Sequence, residues 1–534
     1  MENSLKNSGA FSPQKRRLLE LLLKEKGVAA NSPAPTPSIS RRERPEHMPL
    51  GLNQEGLWFL DQMDPGKGHY NIPGTVRLQG RLDVAALERS LSEIVRRHET
   101  LRTAFAMQND GTPCQIIAPP TRLQLPLIDL QTLPSAQREA EAIRLATADA
   151  QQAFDLSKGP LFRGQLLRLG VDEHALLLNM HHIISDGWSM GIFTRELRAL
   201  YEAFVNDNAA TLPELPIRYA DFALWQREQM REENFQAQLV YWKQQLNGDL
   251  PVLQLPTDWS RPQMQSFRGR HQAVKLSKSL TEALRRLARR EEVTLFITLL
   301  AAFKVLLHRY CRQDDIIVGS TFANRNRREL QDLIGFFVNT LPLRTKLSGD
   351  LSFGELLRCV REVVSGASAH QELPLAKLVQ ELQPERDSSR NPLYQVVFDL
   401  LTPDHNPAVY GYGLSAGAME TLAFSGLTMA PMEVEYGIAR FDIAVFIWDF
   451  PDGLIGAFEY CADLFEPATI VRMIENFEIL LNHIVTDPES RLNALVERLN
   501  LEDRKQQTAK EKLYQEAVRQ KLKQIKRRPI VHEQ

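Results

Sequence analysis

Cysteine is scarce in this chain. Four stand in 534 residues, at Cys114, Cys311, Cys359 and Cys461. They lie far apart and form no CxxC pair, which argues against a disulfide framework or a zinc site and makes a reducing cytoplasm the expected setting. Long apolar runs are lacking as well. The longest, around Ile443 to Ile455, is broken by Asp449, Pro451 and Asp452 and falls short of the ~20 residues of a membrane span, so no membrane partner is expected. An excess of either charge is missing: the formal net charge is -2, which gives no general pull toward nucleic acid or anionic lipid. The first residues, Met1 to Asn7, lack the charged and apolar regions of a secretory signal. There is no G-x-S-x-G elbow for a serine hydrolase and no short-period repeat. What remains is an ordinary globular composition, 43% hydrophobic and 24% charged. Such a chain can bury a sizeable core, as several domains or as a pair of large lobes.

Five segments are expected. Residues 1–30 hold a short helical stretch, with Ser12 suited to the N-cap, Pro13 to the first turn and Gly27 to the stop. Residues 31–47 include Asn31 to Ser38, rich in Pro and Ser, and read as a linker. From about Met48 to Arg491 strands and helices alternate, which predicts mixed α/β architecture, as two lobes over 48–215 and 216–495. Val84 to His98 has helical periodicity, with Val84, Leu87, Leu91, Ile94 and Val95 on one face. Thr75 to Leu78 and Asp315 to Val318 read as strands. Two helices are expected within Leu280 to Tyr310 and another over Ile470 to Ile484. Residues 496–534 form a basic helical tail, with Tyr514, Val518, Leu522 and Ile525 on one face.

One heptad carries most of the chemistry: His181-His182-Ile183-Ile184-Ser185-Asp186-Gly187. An apolar run, Ala175 to Leu178, leads into it, and an amphipathic pattern, Met190 to Leu200, leads out. The heptad therefore lies between a strand and a helix, where a rigid scaffold can present side chains. Neighbouring strand residues point to opposite faces. One imidazole can face a reaction while the other packs into the scaffold. A neutral imidazole can accept a proton or a hydrogen bond. Asp186 can orient a ring or anchor the loop through an arginine, and Gly187 can offer its backbone N–H. Consecutive strand histidines diverge and no third ligand pattern stands nearby, so no metal is expected. Taken alone, a His-His pair is more often structural than catalytic.

The heptad fits HHxxxDG and resembles the active-site motif of condensation domains of nonribosomal peptide synthetases. Companion segments resemble the family's other motifs, in the family's order. They are Leu57-Trp58-Phe59-Leu60-Asp61-Gln62, Arg97-His98-Glu99-Thr100-Leu101-Arg102-Thr103-Ala104-Phe105 and Tyr219-Ala220-Asp221-Phe222-Ala223-Leu224-Trp225-Gln226. Ile334-Gly335-Phe336-Phe337-Val338-Asn339-Thr340, His370-Gln371-Glu372-Leu373-Pro374 and Arg386-Asp387-Ser388-Ser389-Arg390-Asn391-Pro392-Leu393-Tyr394-Gln395 follow. The resemblance spans about Pro49 to Arg491. It departs from the family at Gly51 to Gly56, where an arginine usually precedes Leu-Trp, and at Pro374-Leu375-Ala376, where Pro-Phe-Glu is usual.

The resemblance implies an α/β fold of two chloramphenicol acetyltransferase-like lobes, set as a V around a central tunnel. It implies peptide-bond formation between a donor acyl or peptidyl thioester and the amine of an acceptor aminoacyl thioester. Both substrates arrive on phosphopantetheine arms, so donor and acceptor carrier proteins and other synthetase modules are the expected partners, with no bound cofactor and a monomeric chain. His182 and Gly187 are the implied catalytic residues. His181, Asp186, Arg102 and Trp188 are implied supports, with Asp186 expected to pair with Arg102, and Ser320 and Asn339 are candidates for tunnel or substrate lining. Tyr219 and Trp225 are expected to be packing anchors. Trp188-Ser189-Met190-Gly191 and Asn391-Pro392 resemble the subtype joining an L-configured donor to an L-acceptor. An ester-forming relative, an epimerization domain and a non-catalytic carrier-recruitment module are the alternatives. Adenylation and carrier motifs are not recognised, so the chain reads as a freestanding condensation protein or an excised piece of a synthetase. Its terminal helices are then candidates for carrier docking.

Overall fold

The computed structural model describes residues 38–230, 233–385, 387–402 and 421–524. The expected N-terminal helix, the linker as far as Pro37, Arg386 and Ile525 onward lie outside them, as do the side chains of Tyr514, Val518 and Leu522.

Two mixed six-stranded sheets organise the chain. The first runs in the order Leu422–Phe424, Leu427–Pro431, Asn71–Gln79, Glu173–His181, Phe162–Gly170, Leu127–Asp129. The second runs Asn339–Lys346, Asp315–Phe322, Val396–Leu401, Ile443–Phe450, Gly453–Cys461, Gly269–Lys275. A small three-stranded sheet joins Met48–Pro49, Pro113–Ile117 and Thr103–Met107. The first sheet is not confined to the N-terminal half. Thr428 to Pro431 pair antiparallel with Gln79 to Val76, so the 216–495 segment lends two strands across the expected boundary.

Local sequence explains most elements. The Val84–Arg97 helix starts at Asp83, whose carboxylate accepts the Ala86 N–H, and buries Leu87, Leu91, Ile94 and Val95. The Leu295–Cys311 helix is apolar nearly all round and lies inside the second lobe. Its one buried cation, Lys304, donates to Leu343 O at 2.6 Å and Thr345 Oγ1 at 3.0 Å. The apolar stretch from Ile443 is a hairpin, not one long element: Ile443–Phe450 and Gly453–Cys461 pair in register across Pro451-Asp452. No single helix among the described residues is long and apolar enough to cross a membrane.

The C-terminal helix begins at Leu492 and continues to Gln524. Its first turns belong to the core, with Leu492, Leu495 and Leu499 fully buried. Asp503 closes this part by accepting from Arg309 at 2.5 Å and from Arg472 at 2.9 and 2.7 Å. The expected tail therefore grows out of an anchored helix.

Candidate active site

The Glu173–His181 strand is central in its sheet and buried along seven consecutive positions before His181. It ends where the heptad begins. His181 completes the strand opposite Asn71; His182 starts a short 3-10 turn, His182–Ile184. The Gly187–Val205 helix follows, with Asp186 as its N-cap. This break in the strand separates the two rings.

His181 is buried and packs edge-on against Phe154 and Tyr70. Its Nδ1 accepts the Ile183 N–H at 3.1 Å, which shapes the turn. Burial, with the neighbouring His182 and Arg440, pushes its pKa down to about 3. His182 is half-buried. Its main-chain N–H donates to Tyr70 O at 2.7 Å, and its Nδ1 lies 2.9 Å from Ser185 O. A carbonyl oxygen can only accept, so Nδ1 carries the proton and Nε2 presents a lone pair. The ring meets Phe336 edge-on, 5.0 Å between centroids. Burial and then Arg440 lower its pKa, against the opposing pull of Asp186.

Gln54 holds the turn from behind. Its Nε2 donates to Ile183 O at 2.8 Å while its Oε1 accepts the Gly51 N–H at 2.9 Å. The unusual Gly51 to Gly56 segment thus supports the histidine turn. Asn53, in the same segment, donates to Val338 O at 2.9 Å and Phe337 O at 3.2 Å.

Asp186 does not pair with Arg102. Arg102 donates to Ala118 O, just past the Pro113–Ile117 strand, whereas Asp186 is wholly buried against the second lobe. Its Oδ1 accepts from Ser189 N at 2.8 Å, Ser189 Oγ at 2.7 Å and Arg325 Nη2 at 3.0 Å. Its Oδ2 accepts the Phe337 N–H at 3.0 Å. Arg325 is itself held by Leu330 O at 2.7 Å and Leu333 O at 2.6 Å, with its guanidinium 4.0 Å from the Phe337 ring centre. A carboxylate that caps a helix needs its second oxygen and its charge satisfied when buried. The arginine from the loop after Asp315–Phe322 does this; Arg102, on the far side of its own turn, is committed elsewhere.

The companion motifs converge on the same junction. His98 Nε2 lies 2.9 Å from Glu196 Oε2, and Thr100 Oγ1 donates to Ile334 O at 2.6 Å. Tyr219 OH donates to Phe336 O at 2.7 Å. Trp188 Nε1 donates to Gln331 O at 2.9 Å. Gly335 exchanges bonds with Ser189 Oγ, its N–H at 3.1 Å and its O at 3.0 Å, and a Cβ there would collide with the Tyr219 ring. Ser320 and Asn339 are buried with their polar atoms engaged: Ser320 Oγ donates to Asp399 Oδ1 at 3.0 Å, and Asn339 Nδ2 donates to Leu373 O at 2.7 Å and Gln371 O at 2.9 Å.

The depressed histidines have a measurable consequence. As pH falls below ~6.5 the unfolded chain protonates them before the folded chain does, so stability is lost at about 1.4 kcal/mol per pH unit for each. Glu459 and Asp399, whose pKa values burial raises to about 7 and about 6, work in the opposite direction. A His181→Gln variant isolates one contribution. Urea midpoints of wild type and variant should converge, or cross in the variant's favour, between pH 7.5 and 5; a constant gap would contradict the assignment.

Two sheets with a histidine turn at their junction, fastened by a buried Asp–Arg pair, define an α/β protein of two joined lobes. The Condensation domain family model matches residues 45–507, and the chain belongs to that family, whose members are transferases. It is 43% identical over 481 residues to one of the linear gramicidin synthase proteins of Brevibacillus parabrevis, covering 90% of this chain and 6% of that protein. The chain thus spans a small fraction of this curated relative. Among solved structures, the X-domain from teicoplanin biosynthesis is 28% identical with a TM-score of 0.75, over 85% of this chain and 99% of that one. The first condensation domain of the calcium-dependent antibiotic synthetase, in complex with a substrate analogue, shares the fold at 21% identity and a TM-score of 0.69, over 84% and 98%. The V of two acetyltransferase-like lobes expected from the motifs fits these neighbours.

Proposed function

We propose that this domain joins a donor acyl or peptidyl thioester to the amine of an acceptor aminoacyl thioester, both carried on phosphopantetheine arms. The observation that carries the reading is the fixed tautomer of His182: Nδ1 spent on Ser185 O, Nε2 left as an acceptor. The acceptor amine attacks the thioester carbonyl, the carbon–sulfur bond breaks after a tetrahedral adduct, and the donor's thiol leaves with a proton. His182 Nε2 receives the N–H of the attacking amine. Gly187 is the first residue of its helix, where main-chain N–H groups lack intrahelical partners, so its N–H is suited to the developing oxyanion. The lowered pKa of His182 makes it a weak base for an ammonium but an available acceptor for a neutral amine. Holding and aligning the amine is therefore its larger role.

A carrier needs an apolar foothold near this site. Phe59 and Met63, one helical turn apart on the Leu52–Met63 helix, are 60% and 69% exposed, with Leu60 beside them. The same helix supplies Gln54 to the histidine turn. This favours carrier docking beside the reaction centre. The resemblance at Trp188 to Gly191 favours an L-donor and an L-acceptor, with nitrogen as the attacking atom. The C-terminal helix is a second docking surface in this reading. Removing the residues after Asp503 leaves the buried clamp in place, so the apparent KM for a carrier should rise several-fold while kcat stays. An unchanged KM would remove the tail from the docking scheme.

The decisive assay loads one carrier with a donor acyl group and another with an aminoacyl group, then follows each by intact mass. Mass gained on the acceptor arm equal to the donor acyl group supports the reading. An acceptor that stays unmodified under every donor tried would overturn it, and a mass gain only with a hydroxyacyl acceptor would turn it into ester formation.

A further inference from the structure

We propose that Arg440 is a positioning residue for His182: its guanidinium clamps the main-chain segment that receives the His182 amide and sets a permanent positive charge behind the imidazole. Arg440 Nε donates to His69 O at 2.8 Å and Nη2 to Asn71 O at 3.1 Å. These two carbonyls flank that of Tyr70, which accepts the His182 N–H at 2.7 Å. The three consecutive carbonyls are thus taken by Arg440, His182 and Arg440 in turn. Both guanidinium bonds end on neutral oxygens, which orient the charge without cancelling it.

Arg440 is itself fixed from the second lobe. Its own carbonyl accepts from Gln265 Nε2 at 2.7 Å and Asn391 Nδ2 at 2.9 Å. This gives Asn391, in the last of the ordered motifs, a task distant from the chemistry: it sets the residue that sets the histidine. Arg440 also lines a cleft with Asn71, His271, Tyr436 and Glu459. Glu459 is the carboxyl on that wall, and burial keeps it protonated up to about pH 7.

The groups that bear on the His182 ring are few. Asp186, capping the following helix, favours its protonated form; His181 precedes it in the chain, the Phe336 ring is uncharged, and Ser185 O receives the Nδ1 proton. Arg440 opposes protonation. A ring kept neutral keeps its Nε2 lone pair, which the proposed amine contact requires. The inference rests on the condensation reading only for its effect on rate; the effect on the ring stands without it.

The test uses the full chain labelled with ¹³C-histidine, with the His182 resonance identified by its loss in His182→Ala. In Arg440→Gln the His182 titration should move up by about one pH unit, and the acid limb of kcat/KM for transfer should move with it. In Arg440→Lys, which keeps the charge and loses the two-pronged clamp, the titration should stay within about 0.3 unit of wild type, while kcat falls about tenfold. A His182 titration unmoved in Arg440→Gln would overturn the proposal. Should Arg440→Gln not fold, a titration that rises by about one unit in Arg440→Lys would do so. A wild-type protein that transfers nothing would sink the condensation reading and leave the titration to judge Arg440.

Discussion

Replacing Asp186 by alanine should cost about 3–5 kcal/mol of folding stability. The carboxylate is wholly buried and its removal does more than delete a cap. Arg325, a buried cation, loses its bond to this carboxylate, and Phe337 N–H loses its acceptor. A helix cap alone is worth ~1 kcal/mol; the excess belongs to the lost carboxylate–guanidinium bond and the Phe337 N–H. Asp186→Asn separates the two. It retains an oxygen for the Ser189 N–H but not the charge, so it should fall between wild type and alanine. Arg325→Met, by contrast, leaves the anion behind and should be nearly as damaging as Asp186→Ala. Chemical unfolding of the three variants checks the order. Equal midpoints for Asp186→Ala and wild type would refute the buried pair as a fastening between the lobes. Arg102→Ala, whose partner is Ala118 O at the surface, should cost little by comparison.

The second large effect falls on rate. His182→Ala should reduce acyl transfer by about 10²–10⁴-fold with little change in melting, because the ring is not part of the closely packed core and its Nδ1 bond reaches only Ser185 O, a local main-chain acceptor. Where in that range the loss falls speaks to its role. A ring that mainly aligns the amine can be replaced in part by another acceptor, so His182→Gln should recover some of the loss. A true proton acceptor has no such substitute. Equal rates for His182→Ala and wild type would remove the residue from the chemistry.

Much of the scaffold was legible from periodicity. The Val84–Arg97 helix, the Asp315–Phe322 strand and the Pro467–Thr486 helix lie where apolar spacing put them, because each buries one continuous face. The heptad was legible as a strand-to-helix junction, and its two histidines have separate surroundings, His181 against Phe154 and Tyr70 and His182 against Phe336. The partner of Asp186 was not legible. The chain carries many arginines, and Arg325 stands 139 residues away, brought near only when the second sheet docks. Arg102 was the nearer choice within a matching motif, but local helical geometry turned it toward Ala118. Gln54 and Arg440 escaped for a related reason: each acts on backbone carbonyls, Ile183 O and His69 O, and no side-chain pattern marks a carbonyl that needs a donor. The apolar run at Ile443 to Ile455 breaks where the sequence places the break, with Pro451-Asp452 at the turn of a hairpin.

The strands Leu422–Phe424 and Leu427–Pro431 complete the first sheet from the far half of the chain. Any recombinant enzyme that swaps lobes at residue 215 would pair one parent's Asn71–Gln79 edge with the other parent's borrowed strands. The seam between interchangeable parts therefore runs through the hydrogen-bonded register of Val76 to Gln79 with Thr428 to Pro431, and a working hybrid must inherit both sides of that register from one parent.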